Sequence, residues 1–376
     1  MPYSAEDAGR IDYTGNEVFD PIHDIQSETR FVDEATDRIT HLREQEFWEP
    51  LANVNHHVYQ AATDYFDRLG SRYTLLPLTT RLISSPGAVF GSEALDYTED
   101  TSPITVEWFD LDETAFLSES SQVYLELALT QGGLDHVHSI YNSFRKEEAD
   151  NTHLAEFHHI EYEGQVDKER NEEIVEELLV SILDRLLTRG REDLSAFLDH
   201  DAIADLADLR DDPVRTVSFE RALELLREDT GDERYEEFTE AHFGDWEEVR
   251  LTELFDGRIV NVENFPLFEV PFYHAEADNG GGPRVAKNSD FIWPGYRETV
   301  GTGERVAARE AVEEKAEVFN LPREDYDPYI RARSFDSYER TSGFGVGWER
   351  LVQGILRMPS IVSVSHFPRV HTSLQP

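Results

Sequence analysis

The chain of 376 residues contains no cysteine, which excludes disulfide bonds, thiolate metal sites and cysteine nucleophiles. It also lacks any apolar run of about 18 residues, so the sequence predicts no membrane-spanning helix. The first residues, MPYSAEDAGR, do not show a basic region followed by an apolar stretch. We therefore expect no signal peptide, no membrane association and a cytoplasmic protein.

Lysine is almost absent, and positive charge of any kind is scarce. The chain has 34 basic residues against 78 acidic ones, for a net charge of −44. Only four residues are lysine: Lys146, Lys168, Lys287 and Lys315. Excess carboxylate with little lysine is typical of proteins from salt-loving archaea, because high salt screens the repulsion between surface charges. This charge would also repel nucleic-acid phosphates, and no run rich in lysine or arginine compensates for it.

What remains is a composition that folds, with 39% hydrophobic and 11% aromatic residues. Residues 1–44 are polar and weakly periodic, and we interpret them as an N-terminal extension before a domain over 45–376. Apolar spacing predicts helices at Trp48–Leu69, Gln122–Leu129, Glu172–Leu187, Phe219–Arg227, Ala307–Phe319 and Trp348–Arg357. Strands are predicted at Ile104–Leu111, Ala115–Ser118, His138–Arg145, His153–Tyr162, Arg258–Val262, Val270–His274, Phe291–Trp293 and Glu298–Val300, with Tyr73–Leu82 also β-prone. These elements predict an α+β fold with a mostly antiparallel sheet flanked by helices.

Three separated segments stand out together. Residues 144–147 read FRKE and are followed by NTHLAEF at 151–157; residues 343–351 read GFGVGWERL; residues 290–305 read DFIWPGYRETVGTGER. With SSQVYLE at 120–126, Pro77 and the final HFPR, they resemble motif 2, motif 3 and the metal and substrate strand of class II aminoacyl-tRNA synthetases. The resemblance covers roughly residues 45–370 and is specific to the aspartyl and asparaginyl branch.

The resemblance implies an ATP site in which the reacting carboxylate is adenylated. Arg145 would contact the α-phosphate and the carboxylate, and Arg350 would share the catalytic role by contacting the γ-phosphate. Arginine suits this task because its planar fork matches phosphate oxygens in fixed geometry. The other expected ATP contacts are His153 at the γ-phosphate, Glu147 at the adenine amino group, Phe157 on the adenine ring, and Glu298. Asp290 and Glu298 would hold Mg²⁺, a hard cation that favours carboxylate oxygens.

The same resemblance implies aspartate or asparagine as substrate. Arg305 matches the arginine that grips the substrate's side-chain carbonyl or carboxylate, and Gln122 would help to hold the amino acid. Glu161 stands where the asparaginyl type has glutamate, which can accept from an amide NH₂. Leu125 replaces a lysine of the aspartyl type. Two departures from the pattern, Glu304 before Arg305 and Arg297 in place of a glycine before Glu298, are expected close to the amino-acid site.

The acceptor of the activated acid is a separate question. Aspartyl and asparaginyl tRNA synthetases carry an anticodon-reading barrel before the catalytic domain, for which residues 1–44 leave no room. The loop between Glu147 and His153 is one residue shorter than expected and lacks the arginine that normally precedes the histidine. This shape resembles the archaeal ammonia-dependent asparagine synthetases. It implies ATP-dependent formation of asparagine from aspartate and ammonia, with Glu161 positioning ammonia or the forming amide and with tRNA not a partner.

Several alternatives remain open. The chain could be a paralogue that still aminoacylates tRNA or another acceptor, or a regulatory subunit that binds ATP or an amino acid without catalysis. Taken singly, Arg145 reads as a surface ion pair and Phe157 as a core residue. Four histidines, His136, His138, His158 and His159, raise the possibility of zinc, although no cysteine accompanies them. The family usually pairs near the motif 1 proline, so we expect a homodimer through the Pro77 region.

Overall fold

The computed structural model describes residues 48–84, 103–110, 112–147, 152–358 and 360–371, together with a short backbone hairpin and a few isolated positions. The expected extension over 1–44 and its boundary near residue 45 lie almost entirely outside the described residues. Within the part that is described, no helix is both long and apolar enough to cross a membrane.

The strands form one large sheet and three small ones. In chain order they are β1 (Arg10–Tyr13), β2 (Asn16–Phe19), β3 (Arg72–Tyr73), β4 (Thr79–Thr80), β5 (Thr105–Val106), β6 (Ala115–Leu117), β7 (His136–Phe144), β8 (Glu156–Gly164), β9 (Val214–Ser218), β10 (Ile259–Glu263), β11 (Glu276–Ala277), β12 (Val285–Ala286), β13 (Asn288–Ile292), β14 (Glu298–Glu304) and β15 (Ser342–Gly347). The large sheet has the order β3-β7-β8-β15-β14-β13-β10-β9. Only its two outermost pairs, β3 with β7 and β9 with β10, run parallel. The mostly antiparallel α+β fold predicted from the sequence is thus confirmed.

The helices fill the connections between these strands. In chain order they are α1 (Trp48–Leu69), α2 (Gln122–Leu129), α3 (Lys168–Arg189), α4 (Arg191–Leu194), α5 (His200–Asp211), α6 (Phe219–Thr230), α7 (Asp245–Leu254), α8 (Arg309–Val318), α9 (Arg323–Ala332) and α10 (Trp348–Leu356). Helix α3 begins where the Asp167 side chain accepts the Arg170 N–H at 3.0 Å, and it ends at Gly190. Its apolar stripe packs with that of α1 against one face of the large sheet.

Strand β8 shows how one short sequence separates core from site. Ile160 and Tyr162 are fully buried and join the cluster under α1 and α3. Successive side chains of a strand point to opposite faces, so Phe157, His159 and Glu161 project to the other side of the sheet. The alternation therefore places the apolar residues of HHIEYE in the core and leaves its carboxylates for the cavity side.

Strand β15 follows the same rule with glycine on the cavity side. Phe344 and Val346 lie in the core under the helices. On the opposite face, a Cβ at Gly343 would collide with the Glu163 carboxylate and the Tyr162 carbonyl oxygen. The GFGVG pattern thus has a steric origin, because the glycine face lets charged side chains of β8 lie against the strand.

Several features differ from the sequence predictions. The predicted strand Val270–His274 is wrong: the segment is a turn with a single bridge from His274 to Arg305. Pro271 cannot donate a ladder hydrogen bond, and the β-prone Phe272 and Tyr273 are buried in an aromatic cluster.

Only Arg72–Tyr73 and Thr79–Thr80 are strands within the β-prone stretch Tyr73–Leu82 and the residue before it. Helices α5, α7 and α9 were not predicted; α9 contains Pro328, which obscured its pattern. Of the predicted strand Ile104–Leu111, only Thr105–Val106 is a strand; residues 107–110 are not, and Leu111 lies outside the described residues.

Candidate active site

Two adjoining cavities open on the glycine face of the sheet. The first has a volume of about 530 Å³ and the second about 960 Å³. Four residues line both cavities and join them: Arg145, His159, Glu298 and Gly345. Ligands in the two spaces would therefore meet beside one guanidinium and one carboxylate.

The first cavity collects the residues expected to contact ATP. Its lining includes all six of them: Arg145, Glu147, His153, Phe157, Glu298 and Arg350. The Arg145 guanidinium carbon lies 5.4 Å from the centroid of the Phe157 ring, and its Nη1 lies 3.9 Å from Glu147 Oε1. Strands β7 and β8 thus bring a cation, an aromatic face and a carboxylate together at one end of the cavity.

Arg350 reaches this cavity from the first turn of α10, directly after β15. Its Nη1 donates to the backbone oxygen of Glu298 at 2.5 Å, and its Nη2 donates to the backbone oxygen of Thr152 at 3.3 Å. These bonds fix the guanidinium between the metal strand β14 and the segment that carries His153. The helix connection therefore sets the direction of the side chain before any ligand arrives.

The second cavity ends at a buried ion pair between Arg305 and Glu163. Arg305 is 2% exposed; its Nε donates to Glu163 at 3.0 Å, and its Nη2 also donates to Gln122 Oε1. Its guanidinium carbon lies 4.8 Å from the centroid of the Tyr273 ring. Burial raises the pKa of the Glu163 carboxyl to about 7, although Arg305 acts in the opposite direction. Arg305 and Gln122 thus form one hydrogen-bonded unit with Glu163, a residue that the sequence analysis did not select.

Glu161 is surrounded by donors. Its carboxylate accepts from the Ser120 hydroxyl at 2.8 Å, from the backbone N–H and the hydroxyl of Ser121, and from the Tyr141 hydroxyl at 3.1 Å. Burial acts to raise the pKa of this carboxyl, but hydrogen bonds from His159 and the two serines outweigh it and hold the pKa below its ordinary value. A fixed negative charge therefore faces the second cavity.

Asp290 and Glu298 face each other across Gly301. A Cβ added at Gly301 would lie 2.8 Å from Glu298 Oε1 and 3.7 Å from Asp290 Oδ1, so both carboxylates converge on the space that the glycine leaves. Oxygen ligands in such a cradle fit Mg²⁺, which keeps several waters and takes its other ligands from phosphates. Among the described residues no group of three or more histidine, aspartate or glutamate side chains could hold a metal by itself.

The four histidines considered for zinc have separate hydrogen-bond partners. These partners are Tyr162 for His136, Ser71 for His138, Glu349 for His158 and Ser143 for His159. The first two lie on the core side of β7 and β8, where Phe66 stacks on His138. His158 and His159 lie on opposite faces of β8, as strand alternation requires.

Arg297 and Glu304, which depart from the synthetase pattern at the two ends of β14, do not lie where the sequence analysis expected them. Neither Arg297 nor Glu304 lines the amino-acid cavity. Glu304 is 4% exposed, and its carboxylate accepts from Lys287 Nζ at 2.7 Å. Arg297 instead approaches His153 at the far end of the first cavity. Strand alternation turns Glu304 away from the face that carries Arg305, whereas Arg297 precedes β14 and is held by Asp245 and Glu248 of α7.

Sequence reasoning missed several residues of the second cavity. Tyr273 and His274 belong to the turn wrongly predicted as a strand, and Glu240 and Glu269 come from the connection before it. These positions carry no motif, so the sequence offered no signal for them. His159 could have been found, because it alternates with Phe157 and Glu161 along β8.

A model of one protein family covers nearly the whole chain. The family described as tRNA synthetases class II (D, K and N) matches residues 34–371. The chain belongs to this class II synthetase family. The synthetase resemblance noted in the sequence is thereby confirmed.

Individual relatives within the family are asparagine–tRNA ligases. The chain is 32% identical over 275 residues to the asparagine–tRNA ligase of Pyrococcus abyssi, covering 70% of this chain and 59% of the relative. The corresponding protein of Desulforamulus reducens is 30% identical over 326 residues, covering 85% of this chain and 69% of the relative. The chain thus spans about 59% of the length of its Pyrococcus relative.

Solved structures of the class II family share the fold. The asparaginyl-tRNA synthetase of Pyrococcus horikoshii, solved with asparaginyl-adenylate, superposes with a TM-score of 0.78 at 27% identity, covering 93% of this chain and 75% of that one. The Entamoeba histolytica asparaginyl enzyme reaches a TM-score of 0.75 at 19% identity, covering 96% and 77%. The second likeness concerns the fold alone.

Proposed function

We propose that this chain is an ATP-dependent, AMP-forming ligase that makes asparagine from aspartate and ammonia. The observation that carries the proposal is the junction of the two cavities at Arg145 and Glu298. A nucleotide in the first space and an amino acid in the second would bring a carboxylate next to an α-phosphate. Holding two reactants in this way removes much of the entropic barrier to their reaction.

ATP would lie along the first cavity with its adenine stacked on Phe157 and its α-phosphate at Arg145. Glu147 would accept from the adenine amino group, while His153 and Arg350 would receive the outer phosphates. The guanidinium groups act where negative charge builds as the carboxylate attacks, and they are held in place before the reaction begins. The protein's part in the first step is therefore orientation and electrostatic stabilisation.

Mg²⁺ would be held by Asp290 and Glu298, whose carboxylates converge over Gly301. When bound, the ion would neutralise phosphate charge and fix the bend of the nucleotide. Two protein carboxylates suffice, since phosphate oxygens and water supply the other ligands of Mg²⁺.

The charge of the second cavity supports a particular orientation of aspartate. Arg305 is already paired with Glu163, and the carboxylate of Glu161 stays ionised. An aspartate side chain placed beside Glu161 would bring two like charges together, which is unfavourable. The α-ammonium and α-carboxylate of aspartate suit this end better, with the ammonium at Glu161 and the carboxylate at Arg305. The β-carboxylate then points towards Arg145 and the α-phosphate.

The proposed reaction has two balanced steps. An oxygen of the β-carboxylate attacks the α-phosphorus, the bond to the β-phosphate breaks, and pyrophosphate leaves with its electron pair. The ammonia lone pair then attacks the β-acyl carbon of the aspartyl-adenylate, the bond to AMP breaks, and a proton is lost to solvent. Ammonia is the nitrogen donor in this scheme. Glu161 holds the α-ammonium group of aspartate, and it therefore does not position ammonia or the forming amide.

A second candidate is an asparaginyl-tRNA synthetase paralogue, and the relatives themselves favour it. An asparagine amide would also fit the second cavity, with its oxygen at Arg305 and its NH₂ at Glu161. In that orientation the α-carboxylate would be adenylated and passed to a tRNA. The two functions therefore differ in which amino acid is adenylated and at which end.

The surface charge supports ammonia over tRNA as acceptor. Many described surface arginines lie within ion-pair distance of carboxylates; Arg170, Arg221 and Arg284 are at 2.7 to 2.8 Å from glutamate oxygens. Such pairs neutralise the cations that a polyanion would need. The short segment before His153 also has Thr152, where the synthetase pattern that the sequence resembles would place an arginine.

One experiment separates the candidates. The protein is incubated at high salt with Mg²⁺, ATP and either aspartate or asparagine, and the exchange of labelled pyrophosphate into ATP is measured. We expect exchange with aspartate alone, and ¹⁵N-asparagine plus AMP when ¹⁵N-ammonium is added. Exchange with asparagine together with charging of total tRNA would instead establish the second candidate. If neither amino acid supported pyrophosphate exchange, both candidates would be rejected in favour of a binding protein without catalytic activity.

We also propose that the chain forms a homodimer through the Pro77 region. Around this proline, apolar side chains are unusually exposed: Tyr73 at 53%, Leu75 at 87% and Leu78 at 41%. Such a patch on a described surface indicates an interface. Sedimentation in high salt should show a dimer that Leu75→Arg/Leu78→Arg converts to a monomer; a wild-type monomer would contradict it.

A further inference from the structure

Two departures from the family pattern lie side by side in space. Thr152 stands where the family has an arginine before the histidine, and Arg297 stands where it has a glycine before the glutamate. The Arg297 Nη1 lies 3.2 Å from Thr152 Oγ1 and 3.1 Å from His153 Nε2. The histidine is therefore contacted by a guanidinium that comes from the segment before β14.

Arg297 is held firmly in this position. It is 9% exposed, and its guanidinium pairs with Asp245 and with Glu248, whose Oε2 lies 3.4 Å from its Nε. The same Glu248 oxygen accepts from the backbone N–H of Glu298 at 3.2 Å. The arginine therefore links helix α7, the metal strand β14 and the segment of His153 into one unit.

The neighbouring bonds extend this unit to Arg350. Arg350 donates to the backbone oxygens of Thr152 and Glu298. Thr152 directly precedes His153, and Glu298 directly follows Arg297. His153, Glu298 and Arg350 all line the first cavity. A change in the position of Arg297 would thus be transmitted to each of them.

We propose that Arg297 is a positioning residue that replaces the missing arginine and fixes His153 where the outer phosphates of ATP would lie. The inference rests on the proposed use of this cavity for ATP. Because this guanidinium is buried, is paired with two carboxylates and lines neither cavity, it acts on the nucleotide end through His153. An arginine on the loop itself could also extend outward towards a macromolecular acceptor.

The test measures binding of MgATP to the full-length protein by titration calorimetry, with pyrophosphate exchange measured in parallel. Arg297→Ala should weaken MgATP binding about tenfold, because a charged hydrogen bond at the phosphate end is lost. The double variant Thr152→Arg/Arg297→Gly restores the family arrangement and should recover affinity to within about threefold of the wild type. Arg297→Ala added to His153→Ala should cause little further loss.

Arg250→Ala is the matched control. Arg250 also joins two carboxylates, Asp229 at 2.7 Å and Glu253 at 2.5 Å, but it lines neither cavity. It should lose a comparable amount of thermal stability with no change in MgATP affinity. The KM for the amino acid in the exchange reaction should stay within about twofold in every variant that keeps Arg305.

The outcomes are distinct. Wild-type protein that binds MgATP while Arg297→Ala binds it equally well would overturn the inference and leave the proposed function intact. A double variant no better than Arg297→Ala would overturn the exchange of roles, even if Arg297→Ala itself folds poorly. Wild-type protein that does not bind MgATP would reject both the proposed function and this inference.

Discussion

The two ends of the joined cavity are built in different ways. At the nucleotide end, Arg350 donates to two backbone carbonyls, and Arg145 lies over an aromatic ring with Glu147 Oε1 3.9 Å from its Nη1. At the amino-acid end, Arg305 is fully buried and bonded to Glu163 and Gln122. Arg305 is thus bound within a buried ion pair, whereas Arg145 and Arg350 line the cavity proposed for a polyanion.

This difference teaches how one fold binds two unlike ligands. A triphosphate carries several negative charges, so arginines that line its cavity attract it without discriminating closely among shapes. An amino acid is small and has balanced charge, so its site must reject similar molecules through buried partners that are costly to leave unpaired. The nucleotide end should therefore control the rate, and the amino-acid end should control selectivity.

The largest expected effect is at the nucleotide end. Arg350→Ala should lower pyrophosphate exchange by about a thousandfold, because charge developing at the phosphates loses a preorganised donor. Arg357→Ala, at the end of the same helix and paired with Asp205, should remain within about twofold. Circular dichroism should show both variants folded. Exchange that survives Arg350→Ala would remove this residue from the site and weaken the comparison.

The next effect tests the amino-acid end. Arg305→Lys keeps the charge but loses the fork that binds both Glu163 and Gln122, so the KM for the amino acid should rise about a hundredfold. MgATP affinity should be unchanged, since Arg305 does not line the first cavity. If Arg305→Lys weakened MgATP binding by the same factor as it raised the KM for the amino acid, the two ends of the cavity would not act independently.

A smaller effect is expected between the two ends. Gly301→Ala inserts a methyl group 2.8 Å from Glu298 Oε1 and should raise the Mg²⁺ concentration for half-maximal exchange about tenfold. Gly244→Ala is the control, because its nearest contact would be an ordinary 3.8 Å to Glu247. An unchanged Mg²⁺ requirement in Gly301→Ala would falsify the proposed metal position.

The smallest effect concerns stability rather than activity. Lys315 is 7% exposed and donates to the backbone oxygen of His274 in the wall of the amino-acid cavity. Burial lowers the pKa of its ammonium group from 10.5 to about 7. Between these two values the unfolded chain binds more protons than the folded one, so wild-type stability should increase as pH rises from 7 to 10.

Lys315→Met should remove this dependence. The free energy of unfolding of the variant relative to the wild type should fall by about 3 to 4 kcal/mol between pH 7 and pH 10, because the wild type regains the cost of its buried ammonium as the pH rises. Denaturant unfolding at several pH values measures it, with the exposed Lys146→Met as control. A constant difference between Lys315→Met and wild type across this range would show that the cavity wall is better solvated than its burial indicates.

The sequence predicted the nucleotide end better than the amino-acid end. Arg145, His153 and Arg350 lie in contiguous motifs, and the structure brings all three to the first cavity. Around Arg305, in contrast, Tyr273 and Glu269 come from a segment with no motif and a wrongly predicted strand. The residues of the nucleotide end could be predicted because they lie in local sequence motifs. Those around Arg305 could not, because distant segments meet there only when the chain is packed.

By itself the sequence determined the family, the α+β sheet and the side of β8 on which its carboxylates lie, because strand alternation is a local property of the backbone. Only the tertiary structure decided that Glu163 pairs with Arg305 and that Arg297 meets Thr152 and His153. Those contacts join residues more than 140 positions apart in the chain. Partners at such a distance are chosen by how sheet and helices pack, which no local pattern encodes.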